Sequence, residues 1–264
     1  PPPGSESVIR HVAYSVKAPL TAPSISLHGA PSWRRLAIGL LIAMSGNACM
    51  WSVIVVLPAV QQEFGVDRAG ASFPYSMTMV GFALGNVFVG RLVDRVGLAR
   101  PMAFSGVALS LSYLLASQVE SIATFALLQL CIGAGGAVCF GPFLADISHS
   151  FSRFRGLAVG LAASSNYLAG TLWPFFIEFF LREQSWREAY WGIGLICLAV
   201  MTPLAWFLRR PSTQASPQSA SGSESILPSP LSPRQIQLLL IVAGVGCCVA
   251  MSMPQVHIVA LCSD

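Results

Sequence analysis

Seven apolar runs recur along this chain, separated by short polar joints, at 36–60, 73–93, 102–119, 122–145, 157–177, 189–208 and 236–260. A bilayer core about 30 Å thick is crossed by roughly 20 mostly apolar residues in a helix. Each run is too long for a strand and lacks the two-residue alternation of an outer-membrane barrel. The pattern therefore predicts an all-α membrane protein with seven transmembrane helices.

Composition sharpens this reading. The chain is 54% hydrophobic and 10% charged, with a mean hydropathy of +0.66, whereas a soluble domain carries near a quarter charged residues to solvate its surface. Six of the seven cysteines fall inside predicted spans and none forms a C-x-x-C pair. They read as small apolar packers, and neither a metal nor a cofactor is expected.

The net charge of +4 invites a nucleic-acid reading, but its distribution argues otherwise. Numbering the joints alternately puts Arg10, Lys17, Arg34, Arg35, Arg91, Arg95, Arg100, Arg153, Arg155, Arg209, Arg210 and Arg234 on one side. Arg68, Arg182 and Arg187 fall on the other, with Glu63, Asp67, Glu120, Glu178, Glu183 and Glu188. Such sorting marks the cytoplasmic face, so the N-terminus is expected inside, the charge records topology, and the partner is a lipid bilayer rather than nucleic acid.

Two stretches break the apolar rhythm. Residues 1–33 are rich in Pro and Ser and read as a disordered tail, with a transit peptide as the lesser reading. Residues 209–235 form a second low-complexity stretch that reads as a cytoplasmic linker between a six-helix block, 34–208, and the helix at 236–264.

The joint after the second run, GRLVDRVGLAR at 90–100, concentrates charge in an otherwise greasy neighbourhood. Gly90, Leu92, Asp94, Arg95 and Gly97 resemble the loop motif between helices two and three of the major facilitator superfamily, with Arg100 standing for its trailing basic residues. A glycine at a helix end admits a close neighbour, and a carboxylate there can accept hydrogen bonds from a helix N-terminus or an arginine. The resemblance implies a six-helix bundle of two three-helix inverted repeats, followed by the first helix of a second bundle. It also implies that Gly90, Asp94, Arg95, Gly97 and Arg100 gate the cytoplasmic side.

Two further stretches carry the resemblance into the monocarboxylate-porter and oxalate/formate-antiporter branch. FSRFRGLAVG at 151–160 resembles the lead-in to helix five of that branch, through Phe151, Arg153, Arg155, Gly156 and Gly160. Gly156, Gly160, Ala163, Ala169 and Gly170 offer small faces for helix packing. In the fourth run, Gly133, Gly135, Gly136 and Gly141 with Pro142 also match the superfamily. Gln129 stands where many proton-coupled members have an arginine. In that branch an Asp and an Arg of the eighth helix bind and couple the substrate, beyond Asp264.

No Asp, Glu, Lys or Arg lies in the central part of the first six runs, and ionisable residues at bilayer depth are costly and usually functional. Charge recognition of an anion is therefore not completed by these helices. Asn47, Gln129, Asn166, Tyr167 and His257 remain as candidate pathway residues, the first two ahead of the others. Asn47 and Gln129 could equally be held by interhelical hydrogen bonds, and His257 could titrate near neutral pH and couple to protons. The tryptophans fall mostly near run ends, as an aromatic belt would.

The resemblance implies a secondary transporter of the inner membrane, working by alternating access and moving a small organic anion such as a monocarboxylate by proton symport or exchange. The alternative is a partial, inactive fragment or half-size unit of such a transporter. An intramembrane hydrolase would need a nucleophile with a base or a metal cluster. The chain has no G-x-S-x-G, no H-E-x-x-H and a single histidine in any run.

Overall fold

The computed structural model describes residues 29–151, 154–183, 185–208 and 232–263. Among them every regular element is helical: α1 (Gly29–Gly46), α2 (Ala48–Phe64), α3 (Arg68–Val96), α4 (Ala99–Ala116), α5 (Ile122–Gly136), a 3-10 turn (Ala137–Cys139), α6 (Gly141–Ser150), α7 (Arg155–Glu183), α8 (Trp186–Phe207) and α9 (Pro233–Ser263). All seven predicted runs are helical. Ser32–Phe64, Arg68–Val96, Ile122–Ser150 and Trp186–Phe207 are long and apolar enough to cross a membrane by length and composition. In α7 the residues Ser164, Ser165, Asn166 and Thr171 dilute the hydropathy, and in α4 Arg100 and Pro101 do.

Local chemistry sets the bounds. Asp67 accepts the Gly70 amide at 2.8 Å and starts α3; Ser185 accepts the Arg187 amide at 3.1 Å and starts α8. Ser232 and Gln235 bond reciprocally, at 2.8 and 3.4 Å, in a capping box that opens α9 at Pro233. The helix α1 begins at Gly29, so the last residues of the expected tail are helical; residues 1–28 and 209–231, holding the rest of the expected tail and most of the linker, lie outside the described residues.

Two spans that read as continuous in sequence are broken. The first divides at Asn47 between α1 and α2, and the fourth divides between α5 and α6. Both breaks contain Gly-x-x-Cys, at 46–49 and 136–139, and the two motifs pack reciprocally. A Cβ on Gly46 would meet Cys139 Sγ at 2.2 Å, and one on Gly136 would meet Cys49 Sγ at 2.2 Å. Cys49, Cys139 and Cys197 are buried packers as expected, while Cys131 and Cys248 are exposed.

The packing has an internal symmetry. Helix α3 packs on α5 and α2 on α7; α4 packs on α5 and α1 on α8; α4 and α8 pack on each other. Exchanging spans one, two and three for four, five and six leaves this list unchanged. Residues 32–54 bury and expose side chains in the same order as 122–144, with 35 and 125 the single exception, and 81–88 match 165–172 throughout. The related spans run antiparallel: Arg35 at the start of the first pairs with Asp146 at the end of the fourth. Phe64 at the end of the first lies 6.5 Å from Phe125 at the start of the fourth. The six spans are thus two three-helix inverted repeats.

Without a hydrophobic drive between helices in lipid, close backbone approach and polar ties hold the bundle. A Cβ on Gly81 would sit 2.0 Å from the Leu130 carbonyl oxygen, and one on Gly133 would sit 2.0 Å from that of Thr78. Gly106 against Met201 and Gly194 against Leu114 do the same for α4 and α8, less tightly. The described side chains of α9 from 234 to 250 are exposed.

Candidate functional site

The charged joint terminates α3. Gly97 adopts φ +79°, a left-handed conformation that side chains rarely take, and its amide closes on the Val93 carbonyl at 2.8 Å. This turn leaves Asp94, Arg95 and Arg100 exposed, and no atom lies within 4 Å of a Cβ at Gly90. Asp94 makes no ion pair among the described residues. Together with Arg35, Asn86, Asp146 and His149, these residues line a cavity of about 950 Å³.

At its wall Arg35 holds Asp146 through two hydrogen bonds, Nε to Oδ2 at 2.9 Å and Nη2 to Oδ1 at 2.8 Å. The pair ties the first span to the fourth, and bidentate geometry makes it stronger than a single contact. Arg155 and Gly156 are exposed at the start of α7. Arg153 lies outside the described residues.

The opposite end carries a second ionic knot. Arg187 donates Nε and Nη2 to Glu63 Oε1 at 3.1 and 2.6 Å, Nη1 to the Ser117 carbonyl at 2.8 Å, and Nη2 to the Val119 carbonyl at 2.7 Å. Trp186 donates its indole N–H to Glu63 Oε2, and the Arg187 guanidinium lies 4.8 Å from the Trp186 ring centroid. Ends of three spans are thereby joined.

Between these ends the interior holds uncharged polar groups. Gln129 is fully buried and donates to Tyr190 Oη at 2.7 Å while accepting from Thr78 Oγ1 at 3.2 Å. Tyr113 shares a 2.8 Å hydrogen bond with Ser52 and meets Tyr190 edge-on at 5.1 Å between ring centroids. Five spans are threaded by this chain. Asn47 is fully buried at the first break, and neither its amide nitrogen nor its oxygen has a partner.

The candidate pathway residues differ in their surroundings. Asn47 and Gln129 lie inside the bundle. Asn166 is half-buried with an unpartnered Oδ1, and Tyr167 is exposed beside it. The His257 backbone is helical within α9, but its side chain lies outside what is described.

Two tryptophans have a different place from the expected belt. Trp51 donates to the Asn166 carbonyl at 3.2 Å, and Trp173 donates back to the Met44 carbonyl at 2.9 Å. Trp51 also stacks over Gly170, where a Cβ would come within 2.6 Å of the ring. These indoles tie the first span to the fifth near the first break. Gly170 itself was legible in sequence as a packing glycine; the tryptophan it receives was not, because belt and tie use the same residue. Gly156 and Gly160, read likewise as packing glycines, instead face open space.

Chemically, this arrangement confines ion pairs among the described residues to the two ends of the bundle. No group of His, Cys, Asp and Glu among the described residues could hold a metal ion.

Comparison with known proteins places this architecture. The chain is 27% identical over 175 residues to the inner membrane transport protein YnfM of Escherichia coli K12, covering 65% of this chain and 42% of that protein. It is 26% identical over 213 residues to human monocarboxylate transporter 12, covering 76% of this chain and 40% of that one. Multidrug resistance protein MdtL of Klebsiella pneumoniae is 25% identical over 180 residues, 66% of this chain and 46% of that protein. The chain thus spans less than half the length of these curated relatives. The Major Facilitator Superfamily profile matches residues 36–261, and with six spans in two inverted repeats the chain belongs to the Major Facilitator Superfamily of multi-pass membrane transporters.

Proposed function

We propose that this protein moves a small organic anion such as a monocarboxylate by alternating access, through proton symport or exchange. The observation that carries the reading is the similarity to monocarboxylate transporter 12 across 76% of the chain. The lead-in to the fifth span, with Phe151, Arg155 and Gly156, supports it.

In this reading the six-span bundle is one rigid half of the pathway. A side chain that faces a second bundle stays exposed in this chain by itself, so Tyr167 beside Asn166 is the better candidate for contact with substrate. Asn47 acts from the first break if that break opens during transport, and Gln129 holds the bundle. His257 contributes proton coupling from the seventh span. Gly90, Asp94, Arg95, Gly97 and Arg100 form the gate at one end, and Arg153, Arg155 and Gly156 lead into the fifth span on the same side.

The basic residues crowd that end, which supports a cytoplasmic N-terminus, and the likeness to an inner membrane transport protein supports the inner membrane. The test is uptake of labelled lactate, formate and oxalate into vesicles holding the full-length protein, with and without a pH gradient. Accumulation of one of them is expected. Absence of uptake under every gradient defeats the monocarboxylate reading and leaves the family standing.

A further inference from the structure

The internal repeat relates the second and fifth spans as well as the first and fourth. With residues 84 apart aligned, Ser76, Ala83, Gly90 and Asp94 of α3 stand opposite Gly160, Tyr167, Pro174 and Glu178 of α7, and each pair shares the same degree of exposure. The neighbouring exposed positions are Leu84 and Phe88 on α3 and Leu168 and Leu172 on α7. Each helix therefore presents an apolar stripe suited to lipid and, next to it, a stripe that holds small and polar residues, joined on α3 by the exposed Val80 and Val87. Each of these second stripes ends in a carboxylate. Because the repeats are inverted, Asp94 and Glu178 lie at opposite ends of the bundle.

We infer that Glu178 is a latch equivalent to Asp94 at the other membrane face. Each carboxylate accepts hydrogen bonds from a helix N-terminus of the facing bundle, the one to which α9 belongs. This rests on the alternating-access reading above. An acid near the C-terminal end of its own helix opposes the helix dipole. An N-terminus from outside the bundle satisfies it and complements its charge. Asp94 has no ion pair among the described residues, and Glu178 is paired with Arg182 one turn further on, at 2.8 Å, where both side chains are more than half exposed. So exposed a pair holds loosely and leaves the carboxylate available. Closing one face engages one latch and frees the other, so the two carboxylates oppose each other in the conformational equilibrium.

The test uses the full-length protein with Cys131, Cys247, Cys248 and Cys262 changed to serine and the three buried cysteines kept. Gly160→Cys reports on the Asp94 end and Ser76→Cys on the Glu178 end, through the rate of maleimide labelling. No atom lies within 4 Å of a Cβ at Gly160, so the reporter fits. Asp94→Asn is expected to raise labelling at 160 and lower it at 76, by about two- to fivefold each, the range expected for losing one carboxylate–helix-terminus contact. Glu178→Gln is expected to do the reverse, and Arg182→Gln is expected not to reproduce it. A Glu178→Gln protein that shifts neither rate, shifts both as Asp94→Asn does, or is matched by Arg182→Gln overturns the inference while the gate at Asp94 stands. If Asp94→Asn itself moves neither rate, the gating reading fails, and this inference with it.

Discussion

Asn47 poses the sharpest question at the scale of a single residue. A buried amide without partners costs on the order of 1–3 kcal/mol for the groups left unmade, yet it sits where the first span is already broken. An amide kept only for packing gains from replacement by an apolar side chain of similar shape. Asn47→Leu is therefore expected to leave the thermal unfolding midpoint in detergent unchanged or raised, while transport falls. Transport retained would remove Asn47 from the pathway, and a lowered midpoint would make it a structural residue. Gln129 supplies the contrast, since its bonds to Thr78 and Tyr190 are complete. Gln129→Leu is expected to destabilise by about 1–2 kcal/mol, read from the same midpoint. Sequence placed both amides at bilayer depth but could not separate them, because whether an amide meets a hydroxyl or nothing depends on which helix faces it. Glycines divide in the same way. Gly133→Ala is expected to cost about 1–3 kcal/mol, because the Thr78 backbone opposite cannot yield; Gly160→Ala is expected to cost almost nothing in stability.

At the scale of elements, hydrophobic run length found every helix, since an apolar run of that length has few other ways to satisfy its backbone in lipid. The breaks were less legible. Asn47 carries no proline, and the glycines of the fourth span suit close packing as well as a break. What holds the first span beside its break is supplied by its neighbours. The Met44 carbonyl accepts the Trp173 indole, and the Ser45 carbonyl accepts from Cys197 Sγ at 3.5 Å. A broken helix is tolerated at membrane depth when such partners take up freed groups. Trp173→Phe keeps most of the ring and removes the donor. It is expected to lower stability by about 0.5–1.5 kcal/mol, and a double-mutant cycle with Trp51→Phe is expected to show coupling, because both indoles bridge the same two spans.

For the whole molecule, the inverted repeat makes the two ends of the bundle alike in packing, and side-chain chemistry makes them differ. The identities between 32–54 and 122–144 are four, Leu40/Leu130, Ile42/Ile132, Gly46/Gly136 and Cys49/Cys139. The repeat is therefore faint in sequence and plain in burial, since burial follows packing geometry and tolerates any apolar residue of suitable size. Onto this frame each end adds its own ionic tie, Arg35 to Asp146 at one and Arg187 to Glu63 at the other. Both ties join spans of the same bundle, whereas Asp94 and Glu178 are exposed. Arg35→Ala is expected to destabilise by about 1–3 kcal/mol because it strands the partly buried Asp146 carboxylate, and Arg187→Ala by about 1–2 kcal/mol, chiefly because the Ser117 and Val119 carbonyls lose their donors. The double variant is expected to lose the sum to within about 0.5 kcal/mol, because the sites share no partner and sit at opposite ends. Neither change is expected to alter the ratio of labelling rates at positions 76 and 160 in the folded fraction. A change in that ratio would mean that these ties are broken and remade during transport, and that the bundle does not move as one body.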